Sequence, residues 1–421
     1  MANKRIGALY VPLFVPKIFE RRKRIVEEEK VKTIEETQSE FVGSVEMEKA
    51  ANKFAETAHD ASTDAQTIAE TFANLATAPE PHIRLSVIIP YYNTPFYMME
   101  PLLASIDGQI GVDMSTVEVL IVDDKSTHSE LTAENLNRFA HIKPKVIRAL
   151  SNGGPGIARQ IGIQNAKGDY MIFCDSDDVI HSVGVFSLYY DAMKDDKWDL
   201  INTSWLEEKR LPDGRYTYIT HQNDNTWMHG KCYRRAYINE NHISFHPELR
   251  IQEDSYFNGL AFHFTEKKTY IDSLTYVWKW VDTSITRSND AEYQYSGMAA
   301  FIRAIDLMIE EIFIRSGGIL EPSSVGTVCQ VLYYLYFLTQ CNHWRNIDQK
   351  WLDMLAEATA KFYIKYSGFY MNATEAERQI IYHRERQRMT GQNLGIETET
   401  FDQYMNRILT KYAPQNNEEK E

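Results

Sequence analysis

The chain is poor in cysteine, in basic charge and in long apolar runs, and each shortage removes a class of function. Only four of its 421 residues are cysteine. Cys174, Cys232, Cys329 and Cys341 are widely scattered and form no zinc-ligand or redox motif, so a reducing, cytoplasmic setting is the simpler assumption. Acidic residues outnumber basic ones 59 to 45, and the formal charge of −14 argues mildly against broad binding to nucleic acid or anionic membranes, although local basic patches could override it. No run approaches the roughly twenty apolar residues of a membrane helix, so no integral span is expected. Residues 1–19 mimic a signal peptide only faintly. Pro12, Pro16 and the run Arg21-Arg22-Lys23-Arg24 break the pattern, and no small-residue cleavage site follows. The stretch GALYVPLFVPKIF reads as a segment that docks on this protein or another subunit, with a peripheral membrane foot as the alternative. Glycine is scarce from residue 20 to about 80, where Gly43 stands alone. No internal repeat is present.

What the chain does hold is a set of short apolar runs, each ending in polar residues. Residues 85–89 are apolar and β-branched and fit a central strand. It stops at Pro90, which cannot donate to a ladder, and opens into Tyr91, Tyr92 and Asn93. Residues 117–122 form a second run, ending in Asp123, Asp124, Lys125, Ser126 and Thr127. Between them, Met98, Met99, Leu102, Leu103 and Ile106 recur at helical spacing. The pattern predicts a β-α-β unit, in which ligands sit outside the carboxyl ends of parallel strands. A third run, 170–174, leads into Asp175, Ser176, Asp177 and Asp178. Carboxylates at the mouth of a core strand are costly unless something positive sits against them. The Asp-x-Asp spacing of Asp175 and Asp177 suits a hard divalent cation that also holds a diphosphate, although acidic strand-end loops are common without one.

The segment Ser151-Asn152-Gly153-Gly154-Pro155-Gly156 makes a loop whose backbone can approach a ligand closely, and 157–166 reads as a short helix with Arg159 in its first turn. Free amides at a helix start and an arginine fork suit a phosphate. An ordinary Gly-rich turn with a surface arginine has the same look. The loop lacks both the Lys-Ser/Thr ending of a P-loop and the dinucleotide glycine spacing.

In order along the chain, SVIIPYYN, VLIVDDKST, NGGPGIARQIGIQNAKGDYMIFCDSDD, HGKCYRR and QEDSYF resemble a family-two glycosyltransferase of the GT-A fold. The resemblance covers roughly residues 83–289. It implies an α/β, Rossmann-like nucleotide-diphospho-sugar transferase domain, here followed by a C-terminal α-helical bundle. It implies an inverting transfer from a nucleotide-sugar donor, UDP-sugar by family habit, to an acceptor hydroxyl, assisted by Mn²⁺ or Mg²⁺. On matching positions, Pro90, Tyr91 and Asn93 would hold the nucleoside, and Asp123 with Asp124 would read base and ribose. Arg159 would lie near the base or diphosphate. Asp175 would contact the ribose or a metal-bound water, and Asp177 would be the more direct metal ligand. Asp254 is the candidate general base, with Glu253 beside it holding the acceptor. Such a transfer needs one group to remove the acceptor proton while the metal stabilises the leaving diphosphate. Both acids would equally suit a plain helix N-terminus. Lys231 would neutralise the diphosphate or an acid on the donor sugar, and His229 either ligates metal or is structural. Ser284, Thr286 and Arg287 would close over the pyrophosphate as a lid, or form a polar loop. The chain departs from the family's usual wording at Lys125, where glycine is frequent, at Gln160, where asparagine is, and in Trp278-Lys279-Trp280.

Beyond residue 289, apolar residues recur at helical spacing in 298–314, 325–338, 351–366, 374–389 and 399–412, a bundle of about five helices. Its aromatics read as core. The expected organisation is therefore an N-terminal extension (1–80, partly helical or flexible), a transferase domain (81–289), a helical domain (290–412) and a disordered tail (413–421). The first and third parts are the candidate surfaces for an oligomer. The acceptor is open: a glycan, a polymer, a metabolite, a protein or a modified DNA base. Two further classes stay in view, a non-catalytic glycosyltransferase-like binding module and a sugar-1-phosphate nucleotidyltransferase. The latter wants a basic Gly-rich loop where Pro90-Tyr91-Tyr92-Asn93 stands.

Overall fold

The computed structural model describes residues 81–282, 291–319, 321–340, 348–390 and 397–412. Expectations for the N-terminal extension, for the 283–290 lid and for the tail lie outside these residues. In chain order the elements are β1 (Leu85–Tyr91), α1 (Phe96–Asp107), β2 (Val117–Asp123), α2 (Ala133–Leu136), β3 (Lys145–Arg148), α3 (Pro155–Asn165), β4 (Tyr170–Phe173) and β5 (Val179–Ile180). Then come α4 (Val185–Met193), β6 (Leu200–Arg210), β7 (Tyr216–His221), β8 (Lys231–Arg234), α5 (Arg235–Glu240), α6 (Glu253–His263) and β9 (Lys268–Trp278). Five helices follow: α7 (Ala291–Arg315), α8 (Pro322–Gln340), α9 (Gln349–Asn372), α10 (Glu375–Thr390) and α11 (Phe401–Tyr412).

The strands form one mixed sheet ordered β3-β2-β1-β4-β8-β6-β9-β5, with β7 taking over from β8 along the far half of β6. The pairs β3-β2-β1-β4 are parallel, and β8 inserts antiparallel between β4 and β6. Side chains alternate across the sheet. Leu85, Val87 and Ile89 pack with α1 and α4 on one face, and Ile88 packs on the other with α3 and α6. That second face shares its core with the C-terminal helices, whose Tyr333, Tyr336 and Phe337 are buried as core residues. At Gly259 of α6 an added Cβ would lie 2.1 Å from the Met308 sulfur of α7, so the Met308 side chain packs directly on the α6 backbone there.

One strand end differs from expectation. β1 does not stop at residue 89 but runs on, with Pro90 opposite Val122 and Tyr91 opposite Asp123. The Ile88 carbonyl faces β4, so two residues later the Pro90 nitrogen faces that side too, where pairing has already ended at Phe173 and Cys174. The missing N–H therefore leaves no ladder bond unmade.

Candidate active site

The carboxyl ends of β1, β2 and β4 open on one edge, and hydrogen bonds tie their loops together. Asn93 takes a left-handed backbone (φ 51°), and its amide oxygen accepts from His128 N at 3.0 Å. Tyr91 is buried, and its hydroxyl accepts from Glu130 N, so Tyr91 braces the turn while Tyr92 beside it is half exposed. Lys125 is also left-handed (φ 59°), which explains why glycine is frequent at that place. Asp123 accepts from Ser126 N and Arg148 Nη1, each at 2.7 Å. Asp124 accepts from Gly153 N and Gly154 N, each at 2.8 Å. Two amides of the Gly-rich loop are thus bonded to a protein carboxylate.

Arg159 is the larger surprise. Neither a surface residue nor turned to an open phosphate site, it is buried one turn into α3. Its Nη2 donates to Asp175 at 2.5 Å and its Nη1 to Glu253 at 2.7 Å. Its Nε alone has no partner among the described residues. One guanidinium therefore links the loop after β4 to the start of α6. Burial opposes its charge, but Asp175, Glu253 and Asp254 outweigh burial and hold it protonated. Gly156 permits the link, because a Cβ there would lie 2.8 Å from Glu253 Cγ. Gly156→Ala is expected to push Glu253 off Arg159 and to lower stability by about 1–3 kcal/mol, read from urea midpoints. An alanine variant as stable as wild type would show that Glu253 moves freely.

Asp254 follows Glu253 at the start of α6, where Gln252 is left-handed (φ 63°). Such backbone in a non-glycine residue persists only where its surroundings enforce it. Burial and the Glu253 charge push the Asp254 carboxyl up to about 7, against the pull of Arg159. Burial likewise raises Glu253, with Arg159 offsetting part of it. Burial would raise Asp175 too, yet Arg159 and His229 leave it below the usual range. Three neighbouring carboxyls thus have their proton affinities moved in different directions around one cation, the pattern expected where acid–base roles are divided.

Asp175, Asp178 and His229 converge, each offering a ligand atom within 4.8 Å of the others. Asp177 of the expected pair is not in this group and lies partly exposed beside it. Asp178 is fully buried, accepting from Tyr276 OH at 2.6 Å and Lys279 N at 2.8 Å. Burial, with Asp177 and Asp175 adding to it, raises the Asp178 carboxyl well above the ordinary range. Burial lowers His229 to about 4, leaving a neutral imidazole with a free lone pair. With Asp178 giving up its proton to a bound cation, two carboxylates and a neutral imidazole would fit Mn²⁺, and fit Mg²⁺ less well, since Mg²⁺ favours oxygen alone. Sequence reasoning placed Asp178 and His229 only at the margin, and β8 is what carries His229 to the end of β4. Lys231 is buried rather than open to a diphosphate. Its ammonium donates to Trp227 O and His229 O and lies 3.5 Å from Asp224, and burial lowers it to about 8. It pins the 224–229 loop. Ser284 and Arg287 lie outside the described residues.

Residues 86–247 match the family model described as Glycosyl transferase family 2. The chain carries a glycosyl transferase family 2 domain. Over 190 residues it is 27% identical to the poly(ribitol-phosphate) beta-glucosyltransferase of Bacillus spizizenii, an alignment covering 43% of this chain and 30% of that protein. It is 29% identical over 190 residues to the poly(ribitol-phosphate) beta-N-acetylglucosaminyltransferase TarS of Staphylococcus aureus, covering 43% of this chain and 32% of that one. The chain therefore spans about a third of the length of these two relatives. S. aureus TarS 1-349 in complex with UDP-GlcNAc superposes with a TM-score of 0.55 at 20% identity, covering 78% of this chain and 91% of that one. At that identity the likeness is one of fold, and the family-2 domain has the expected GT-A architecture with helices following it. No helix among the described residues is long and apolar enough to cross a membrane.

Proposed function

We propose that this chain transfers a sugar from a nucleotide-diphosphate donor, a UDP-sugar, to an acceptor hydroxyl with inversion. The observation that carries the reading is the Asp175–Arg159–Glu253 link, which sets Asp254, half-buried and raised to about 7, beside the acidic end of β4. A carboxyl with that affinity for protons is suited to take one from a hydroxyl near neutral pH. Asp254 acts as the base, and Glu253, fixed by Arg159, orients the acceptor. The acceptor oxygen bonds to the anomeric carbon as the carbon–oxygen bond to the diphosphate breaks, the hydroxyl proton passes to Asp254, and the nucleoside diphosphate leaves. Asp175 with Asp178 and His229, and Asp177 beside them, would hold Mn²⁺ or Mg²⁺, which when bound would supply positive charge to the leaving diphosphate. Asn93, Asp123 and Asp124 shape the nucleoside side through their braced loops, with Pro90 and Tyr91 beneath.

Calorimetric titration of UDP, GDP, CDP and dTDP, with and without Mn²⁺, tests the donor assignment on wild type and Asp177→Ala. UDP is expected to bind only with metal, and at least about tenfold more weakly to Asp177→Ala, a loss of about 1.4 kcal/mol. Failure of every nucleotide to bind would overturn the transferase reading.

A further inference from the structure

The donor and metal chemistry leaves unused a patch on the far part of the sheet. Trp205, Glu207 and Lys209 alternate along β6 and so stand on one face. Trp205 is paired with His221 of β7 and Tyr276 of β9, and Glu207 with Trp278. Trp205, Glu207, Lys209, His221 and Trp278, with Trp227 and Trp280, line a half-open cleft of about 380 Å³. Its floor is the fully buried Trp205, whose ring stacks on His221 with centroids 3.8 Å apart. Trp227 and Trp278 lean against each other at 5.2 Å and form the wall. At the rim, the Glu207 carboxylate is paired with His221 Nε2 at 2.9 Å and Lys209 Nζ at 3.5 Å.

The lining selects its occupant. Indole faces suit the apolar C–H face of a sugar ring, and a carboxylate, an ammonium and an imidazole at the rim suit its hydroxyls. A quaternary ammonium needs rings standing around a gap, whereas these rings pack on one another at 5.2–6.4 Å. A nucleic acid needs free cationic charge, and Lys209 already faces Glu207.

The cleft also adjoins the reacting groups. Asn258, one turn beyond Asp254 on α6, donates to Thr226 O at 2.6 Å and so fixes the loop that carries Trp227. On the other side, the His229 ring stacks on Tyr276 at 4.7 Å and on Trp278 at 5.7 Å, joining the cleft wall to the Asp175–Asp178 cluster. We propose that this tryptophan-lined cleft is the acceptor subsite and that the acceptor is a saccharide. The assignment rests on the transferase reading above. The Trp-Lys-Trp wording of 278–280, unusual for the family, is then the acceptor's signature in this chain.

The test uses saturation-transfer NMR on the full chain with chitobiose, maltose and cellobiose, and with choline chloride and ribitol as contrasting probes. UDP–Mn²⁺ calorimetry runs in parallel on wild type, Trp280→Ala and Glu207→Gln. At least one disaccharide is expected to contact wild type, with Kd raised about tenfold in Trp280→Ala while the Kd for UDP stays within about twofold. Protein that binds UDP but none of the disaccharides would overturn the proposal. So would disaccharide binding indifferent to both substitutions, or binding of choline or ribitol alone. Disaccharide binding by protein that takes no UDP would overturn the acceptor role and the transferase reading together.

Discussion

Asp254→Asn is expected to lower the transfer rate by about 10²–10⁴-fold while leaving UDP affinity within about twofold, because asparagine keeps the shape but cannot accept the acceptor's proton. The wild-type pH profile should carry the same signature. With Asp254 held near 7, kcat/KM rises through about pH 7 as the carboxylate forms, and this limb vanishes in the asparagine variant. Stability moves the other way. The folded-state carboxyl binds its proton more tightly than the unfolded one, so the native protein bears the burden of a buried charge above about pH 7 and loses that burden as pH falls toward the unfolded value. Asp254→Asn should therefore be more stable than wild type by at least about 1 kcal/mol at pH 8, with the gain fading toward pH 4. A variant both inactive and less stable at pH 8 would indicate a structural carboxylate rather than a base.

The strands that carry the site were legible because buried parallel strands read as short apolar runs, and the Asp-x-Asp loop stood out because carboxylates at the mouth of a core strand call for a positive partner. The five C-terminal helices were legible from period alone. What escaped was whatever depends on partners distant in sequence. Arg159 looks like a surface residue at a helix start, and only the packing of α6 against α3, with Gly156 between them, turns it into a buried link to Glu253. Lys231 looks like a phosphate ligand, yet β8 is an interior strand and its first side chain points inward. His229 reaches Asp175 and Asp178 because that same strand pairs antiparallel with β4 some sixty residues earlier in the chain. The tryptophan cleft had a readable half, the every-second-residue spacing of Trp205, Glu207 and Lys209 and of Tyr276, Trp278 and Trp280. The parallel pairing of β6 with β9 that joins the two stripes was not readable.

Arg159→Met is expected to destabilise the protein by about 3–5 kcal/mol at pH 8, since removing one partner of a buried ion pair strands the others. Methionine keeps most of the volume, so the loss measures charge rather than cavity. Asp175 and Glu253 would face each other without their cation, and Asp254 would lose the attraction that limits its rise. In wild type, Asp175 is depressed, so its share of the stability is present above the unfolded carboxylate range and is lost only as pH falls through its lower folded value. In the variant the same carboxyls are raised, and their cost is greatest at high pH and relieved as they protonate. The difference between variant and wild type should thus shrink from pH 8 to pH 5 in urea unfolding. Adding Glu253→Gln to Arg159→Met should recover about half the loss or more, because it removes one of the stranded charges. A loss below about 1 kcal/mol, or one equal at both pH values, would mean that water already carries these charges and that Arg159 does not set their protonation. The stability measurement also bears on catalysis, for an Asp254 raised further would stay protonated at neutral pH, moving the rising limb of the activity profile toward alkaline pH.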